Sequence, residues 1–301
     1  MWIPQSVFAF AVSPASIDIY GARNEVIERT VTVVNTSVAE QTYYLATLKF
    51  VAGKSSGSPE FIPYETDHSG LPEWISFPVN TVTIPARTKV DVPFKVSIPS
   101  GIESGSYFAA VTISTTPSEV VATNGASIEA KTAVLLFVTV SGETIEKLAL
   151  LDFVTPDDQI QTLHDVSYAF RLQNQGNVVV KPTATITVKD IFNRTVLVKN
   201  VNTEEGRVLP GSTRTFSGEL ETVPDGFLET VFKQFKLFAV GPVKATLSVQ
   251  YGVNEQTAEI SYWMFPWQLL ICMAVDVMIL ILIWKGIVKL KRRLATIRTG
   301  G

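Results

Sequence analysis

Val26-Ile27-Glu28-Arg29-Thr30-Val31-Thr32-Val33-Val34-Asn35 is a run of β-branched residues in which polar and apolar side chains alternate, closed by an asparagine. A period of two puts successive side chains on opposite faces of a strand, one toward a core and one toward water. The same pattern recurs on both sides of it, at residues 17–20, 43–50, 80–84, 89–96, 106–113 and 130–140, with Pro, Gly, Asn and Ser between. About seven short strands with no helical stripe between them predict an antiparallel β-sandwich of immunoglobulin-like type. Pro93 cannot donate to a ladder, so its strand is expected at a sheet edge or a bulge.

Residues 144–261 read the same way. Strand candidates are 166–172, 183–188, 194–198, 212–220, 243–251 and 256–262, with turns at Asn174-Gln175-Gly176-Asn177 and Pro210-Gly211. Residues 226–238 carry Leu228, Val231, Phe232, Phe235, Leu237 and Phe238, a spacing that suits a short helix as well as a strand. The two modules echo each other. Val34-Asn35-Thr36-Ser37 closes an early strand in the first, and Leu172-Gln173-Asn174-Gln175-Gly176-Asn177 does so in the second. The fold class is therefore all-β: two tandem immunoglobulin-like β-sandwiches, residues 13–142 and 143–262, followed by one transmembrane α-helix.

That helix is read from the apolar run that starts at Trp263-Met264-Phe265-Pro266-Trp267 and ends at Trp284. A helical rise of about 1.5 Å per residue carries such a run roughly 33 Å, enough for a hydrocarbon core of about 30 Å. Tyr262, Trp263, Trp267 and Trp284 stand where an aromatic belt meets the two interfaces, and Lys285, Lys289, Lys291, Arg292, Arg293 and Arg298 follow. The positive-inside rule keeps that flank, a tail of residues 288–301, in the cytoplasm and the sandwiches outside. Pro266 falls in the first turn, where its missing N–H is harmless. At the other end, Val7-Phe8-Ala9-Phe10-Ala11 before Val12-Ser13-Pro14 reads either as the remnant of a secretory signal over residues 1–12 or as a first β-strand; Met1-Trp2-Ile3-Pro4-Gln5 holds no basic residue.

Charge argues against nucleic acid as a partner. From Trp263 onward the chain holds six of its 25 Lys and Arg but only Asp276 of its 28 Asp and Glu, which leaves 19 basic against 27 acidic residues before it. The single cysteine, Cys272, lies in the span, so no disulfide framework is expected outside, and His68 and His164 are too scattered to suggest a zinc site. No cofactor is expected.

Several stretches resemble the WxL-interacting cell-surface proteins of bacteria. They are Ser13-Pro14-Ala15-Ser16-Ile17, Val33-Val34-Asn35-Thr36-Ser37, the run from Trp74-Ile75-Ser76-Phe77 to Pro85, and Pro99-Ser100-Gly101 leading into Gly105-Ser106-Tyr107. In the second module Leu172-Gln173-Asn174-Gln175-Gly176-Asn177, Val208-Leu209-Pro210-Gly211 and Tyr262-Trp263-Met264-Phe265-Pro266-Trp267 are similar too. The resemblance implies a peptidoglycan-associated sandwich, a second sandwich for host or partner binding, then one transmembrane helix with a basic tail. Residues 105–140 depart from that family's ligand-contacting surface.

Catalytic constellations are scarce. Gly53-Lys54-Ser55-Ser56-Gly57 spells a G-x-S-x-G string but sits in a Gly/Ser/Pro-rich loop rather than a strand-to-helix elbow, and it lacks the upstream glycine of a phosphate-binding loop. Glu65, Asp67 and His68 suit a solvated loop better than an acid/base cluster, and Asp157-Asp158 a turn. The chain is expected not to be an enzyme. The connection from Val51 to Glu73 is longer than a sandwich needs and carries Phe61, Tyr64 and His68, with Trp74 at its edge, rings able to stack on a sugar or anchor in a partner. Phe61 and Trp74 also suit caps on the sandwich core, Trp74 more so. Asp276 stands near mid-span, where an aspartate costs about 2.5–3.5 kcal/mol on insertion scales, so the helix is expected to pair with itself or with a second membrane protein. The expected work is binding or scaffolding at a bacterial surface, with a cell-wall polymer or surface protein as partner; a chaperone-like assembly subunit that receives a client strand at a sandwich edge is the second reading.

Overall fold

The computed structural model describes residues 10–53, 58–64, 66–117, 131–155, 160–163, 165–222 and 224–299, with side chains as far as residue 289. Residues 1–9 of the expected leader, Lys54 to Gly57, Glu65, Asp157, Asp158 and His164 lie outside it. The chain forms two compact units. Unit 1 takes the residues up to Ala149 with Leu172–Lys181 and Gly206–Arg214; unit 2 takes Leu150–Arg171, Pro182–Glu205 and the chain from Thr215.

Unit 1 is organised on the alternating run. In chain order come β1 (Phe10–Ser13), β2 (Ser16–Gly21), β3 (Val26–Asn35), β4 (Gln41–Ala52), β5 (Pro59–Ile62), the single turn α1 (Leu71–Trp74), β6 (Ile75–Ser76), β7 (Thr81–Ile84), β8 (Lys89–Ser97), β9 (Gly105–Ser114) and β10 (Lys131–Val140). One sheet has the order β1-β3-β8-β6 and the other β2-β10-β9-β4-β5, with β7 also on β4. Val31 and Val33 of β3, Phe94 and Val96 of β8, Ile113 of β9 and Leu136 of β10 share one core, so the apolar half of each alternation faces the opposite sheet. The seven strands read from the sequence are all present. β1 takes the described end of the stretch that read either as a leader or as a first strand; β5 and β6 are additions too short to show a period, and each of the three is held by pairing with a longer neighbour.

Two details of register matter. β2 runs parallel to β10, Ser16 opposite Leu135 through Gly21 opposite Val140, because the chain changes sheets between β1 and β2 instead of turning back as a hairpin. Pro93 does lie on a free edge: β6 pairs with β8 only at Lys95 and Val96, so the outer side of β8 from Lys89 to Phe94 has no strand beside it among the described residues.

The echo between modules is a repeated hydrogen-bond device. Asn35 is fully buried; its amide donates to the carbonyls of Ala39 and Ile84 at 2.9 and 3.0 Å, its Oδ1 accepts from Ser37 N–H, and its own N–H donates to Thr88. Asn174 repeats this step for step. It donates to Val178 and Val208 at 2.7 and 2.9 Å, accepts from Gly176 N–H, and its N–H donates to Ser212. Each asparagine thus closes its own turn, at the second and fourth residues on, and clamps a distant turn, residues 84–88 or 208–212. Those clamped turns match as well, with positive φ at Arg87 (56°) and Gly211 (70°).

The later elements are β11 (Leu148–Val154), β12 (Ser167–Asn174), β13 (Thr183–Lys189), β14 (Thr195–Asn200), β15 (Thr213–Glu219), α2 (Phe227–Lys236), β16 (Gly241–Tyr251), β17 (Asn254–Met264) and α3 (Trp267–Thr299). They give a three-stranded sheet, β11-β12-β15, and a four-stranded sheet, β14-β13-β16-β17. In unit 2, Phe170 and Phe216 stack at 5.0 Å, and Ile186, Val188, Ala245 and Leu247 are fully buried. Residues 226–238, which suited helix and strand alike, form α2. Helical spacing gathers Leu228, Val231, Phe232 and Phe235 on one side and Thr230 with Gln234 on the other, which period two would have mixed.

Candidate functional site

Three surfaces stand out, and each is built from a different feature of the sequence. The first is the long connection after β4. Phe61 is 42% exposed and its ring lies 6.2 Å from that of Phe50; Tyr64 is 56% exposed and its ring meets that of His68 at a 48° tilt, with ring centres 3.9 Å apart. His68 Nδ1 is buried with no hydrogen-bond partner among the described residues. Asp67 ties the segment down, accepting from Lys49 Nζ and from Ser69 N–H and Oγ–H. The Lys49 ammonium first, then both Ser69 donors, holds the Asp67 carboxyl well below the usual carboxylate range. Trp74 is elsewhere. It is buried in the unit 1 core with its ring 4.7 Å from that of Tyr107, so the structure groups Tyr64 with His68 and sets Trp74 inside. Among the described residues no three of His, Cys, Asp and Glu gather as a metal site.

Sheet edges are the second surface, and their chemistry differs. The free side of β8 shows Lys89, Asp91 and Pro93 to solvent, charges and an imino acid that discourage strand addition. The outer strand β17 exposes Glu255, Thr257, Glu259 and Ser261. The edge of β11 is met by a side chain, Gln256 Oε1 accepting from Leu150 N–H at 2.7 Å. β14 is different. It pairs only with β13, holds Val196, Leu197 and Val198 with no Gly or Pro, and leaves Val198 58% exposed. Lys199 Nζ reaches out to the Glu219 carbonyl beside it.

The third surface is the foot of unit 2. Trp267–Lys289 is long and apolar enough to cross a membrane, 23 residues or about 34 Å. Trp263, Trp267 and Trp284 are 59%, 41% and 65% exposed, and Lys285 and Lys289 are exposed at the far end of the span. Arg292 and Arg293 continue the same helix, and Asp276 is exposed between Val275 and Val277. The start of α3 is held by a residue that no sequence pattern singled out, Gln234 of α2. Its side chain is 1% exposed; Oε1 accepts from Leu269 N–H at 2.9 Å, and Nε2 donates to Thr162 O and Gln268 Oε1. Leu269 is the third residue of α3, one of the N–H groups a helix start leaves unpaired, so α2 supplies the cap that α3 lacks of its own. The clue in the sequence is a Gln four residues after a Thr on the side of α2 opposite its phenylalanines.

No protein-family model matches the sequence, and no characterised protein sequence matches it. Among solved structures the chain is similar to the class 5 fimbriae chaperone CfaA, at 13% identity over 84% of this chain and 99% of that one, TM-score 0.41. It is similar to the E. coli chaperone DraB, at 13% identity over 84% and 98%, TM-score 0.38, and to the Pseudomonas aeruginosa CupB2 chaperone, at 13% identity over 83% and 98%, TM-score 0.36.

Proposed function

We propose that this chain is a membrane-anchored, non-catalytic assembly protein that receives an extended segment of a partner protein by strand addition. The observation that carries the reading is β14, an apolar edge strand with a neighbour on one side and none on the other among the described residues. Added strands gain main-chain hydrogen bonds from such an edge and specificity from alternate side chains. α3 holds the sandwiches at a membrane, and the basic flank from Lys285 to Arg298 sets the sandwiches on the outer side by the positive-inside rule. The test uses the full-length chain in mild detergent against envelope extract of the producing cell, comparing the unsubstituted protein with Val198→Lys and with Asp91→Lys on the already charged edge of β8. Loss of the recovered partner with Val198→Lys alone is the expected result; equal recovery by all three defeats the strand-addition reading.

A second reading is favoured by one observation, the exposed rings of Phe61 and Tyr64 on a single connection. Exposed rings suit the apolar faces of sugars, and the resemblance to WxL-interacting proteins implies a cell-wall polymer. Replacing residues 52–70 by a short Gly/Ser link and sedimenting the protein with purified cell walls decides it: co-sedimentation that persists removes the loop from consideration.

A further inference from the structure

Helix α2 is built inside out for a helix on a water-soluble sandwich. Its buried residues are Thr230 and Gln234, whereas Leu228, Phe232 and Phe235 are 73%, 78% and 72% exposed. An amphipathic helix on a soluble domain turns its apolar stripe to the core; here that stripe points away from the protein. Lys233 and Lys236 flank it, Lys233 tethered to Glu221 at 2.7 Å. A short helix with a strongly apolar face, Phe and Leu on one side and Lys beside them, is the pattern of helices that lie in a membrane interface.

The position of α2 fixes the level at which that face stands. Gln234 bonds Gln268 and Leu269 in the first turn of α3, so α2 sits level with Trp267, where the span begins. Strand register brings a second apolar group to the same end. β13 ends at Lys189 opposite Lys244, three residues above the start of β16 at Gly241 opposite Met264, so the turn after β13 comes down to about the level of the foot of β17. The tip of that turn is Ile191-Phe192, 56% and 74% exposed, held by the Asp190 carboxylate, which accepts from Phe192 and Arg194 N–H. The opposite end of the sheet, the turn between β16 and β17, shows Val253 alone.

We propose that unit 2 rests on the bilayer surface, with α2 sunk into the boundary between headgroups and acyl chains beside the point where α3 enters, and with Ile191 and Phe192 dipping into the same plane. The occupant of the exposed apolar face is lipid: it is continuous with the span, at the height where Trp263 and Trp267 mark the interface, and the exposed Lys236 stands beside it for anionic headgroups. The placement of α2 rests on α3 being the anchor.

A depth measurement separates the two. The full-length chain, with Cys272→Ser as background, carries one environment-sensitive fluorophore at a time through Phe232→Cys, Val277→Cys or Val253→Cys and is reconstituted into phosphatidylcholine/phosphatidylglycerol vesicles. Nitroxide quenchers attached high or low on the acyl chains, and iodide in the buffer, report depth; the three positions are exposed, so labelling spares the core. The expected result is loss of emission at 277 with the deep quencher, at 232 with the shallow one, and at 253 with iodide only. If 277 is quenched by lipid while 232 answers to iodide, α2 stands in water and the proposal is wrong although the anchor holds. Protection of 232 from both quenchers means that protein covers the face, which also overturns it. Failure of lipid quenching at 277 overturns the anchor and the placement of α2 together.

Discussion

Asn35 and Asn174 show how one polar side chain sets a sandwich end. Each is buried with donors and acceptor satisfied by main chain, so truncation exposes several backbone groups to an apolar cavity at once. Asn174→Ala is expected to lower unfolding stability by about 2–4 kcal/mol, since an unpaired buried group costs about 1–3 kcal/mol and two carbonyls with one N–H lose their partners. Asn35→Ala should match it. Chemical denaturation of each variant measures this, and a pair of values near zero would mean the clamps are ornamental. Asp18 acts through charge instead. Within unit 1 it accepts from Lys181 Nζ at 2.7 Å and Arg207 Nη2 at 3.0 Å, and Arg207 also lies over the Phe137 ring. Burial pushes the Asp18 carboxyl up, but the hydrogen bonds from Lys181 and Arg207 outweigh it and hold it below its ordinary 3.8. A carboxyl depressed in the folded state adds stability above its unfolded pKa and loses it as pH falls through the folded value. Asp18→Asn is therefore expected to cost about 1–2 kcal/mol at neutral pH, allowing for solvent screening. That deficit should shrink in melts run below about pH 4; a deficit constant with pH would assign the loss to packing.

At the scale of elements, α2 and the start of α3 form one device, and Gln234 is its joint. Gln234→Ala leaves the Leu269 N–H without its acceptor in a buried place and is expected to destabilise the foot of unit 2 by about 1–3 kcal/mol. Amide hydrogen exchange at residues 267–270 should quicken while that of β16 stays slow; unchanged exchange there would show that α3 starts without help. Most of the long strands are legible in the amino-acid order alone, because burial on one face writes a period of two into β3 and β8, and β10, buried on both faces, reads as a bounded run of β-branched and aromatic residues. What escapes are elements whose cause is tertiary. β5 and β6 exist because β4 and β8 offer them an edge, and α2 could not be separated from a strand because its stripe of Leu228, Val231, Phe232 and Phe235 answers to something outside the sheets. Trp74 escapes for a similar reason: one turn of helix, α1, swings it inward to Tyr107, while Tyr64 and His68 stay on the surface.

For the whole molecule the decisive balance is that of the anchor. About eleven Leu, Ile, Val and Phe residues between Phe265 and Trp284 return roughly 0.3–0.6 kcal/mol each on insertion scales, against about 2.5–3.5 kcal/mol for Asp276. Insertion therefore survives the aspartate but with a small surplus, and an acid kept at that cost faces protein more often than lipid. The span itself is legible in the sequence from length and flanking aromatics. The partner of Asp276 is not, since a carboxylate in a lone helix carries no mark of what it meets. Asp276→Leu removes the cost and the polar contact together, so two effects of opposite sign are expected. Membrane insertion of the isolated span should become more favourable by about 3 kcal/mol or slightly more. Cysteine crosslinking along α3, in dimers or to a membrane partner, should fall. The first effect without the second would leave Asp276 as a tolerated acid facing lipid, and α3 as an anchor that pairs with nothing.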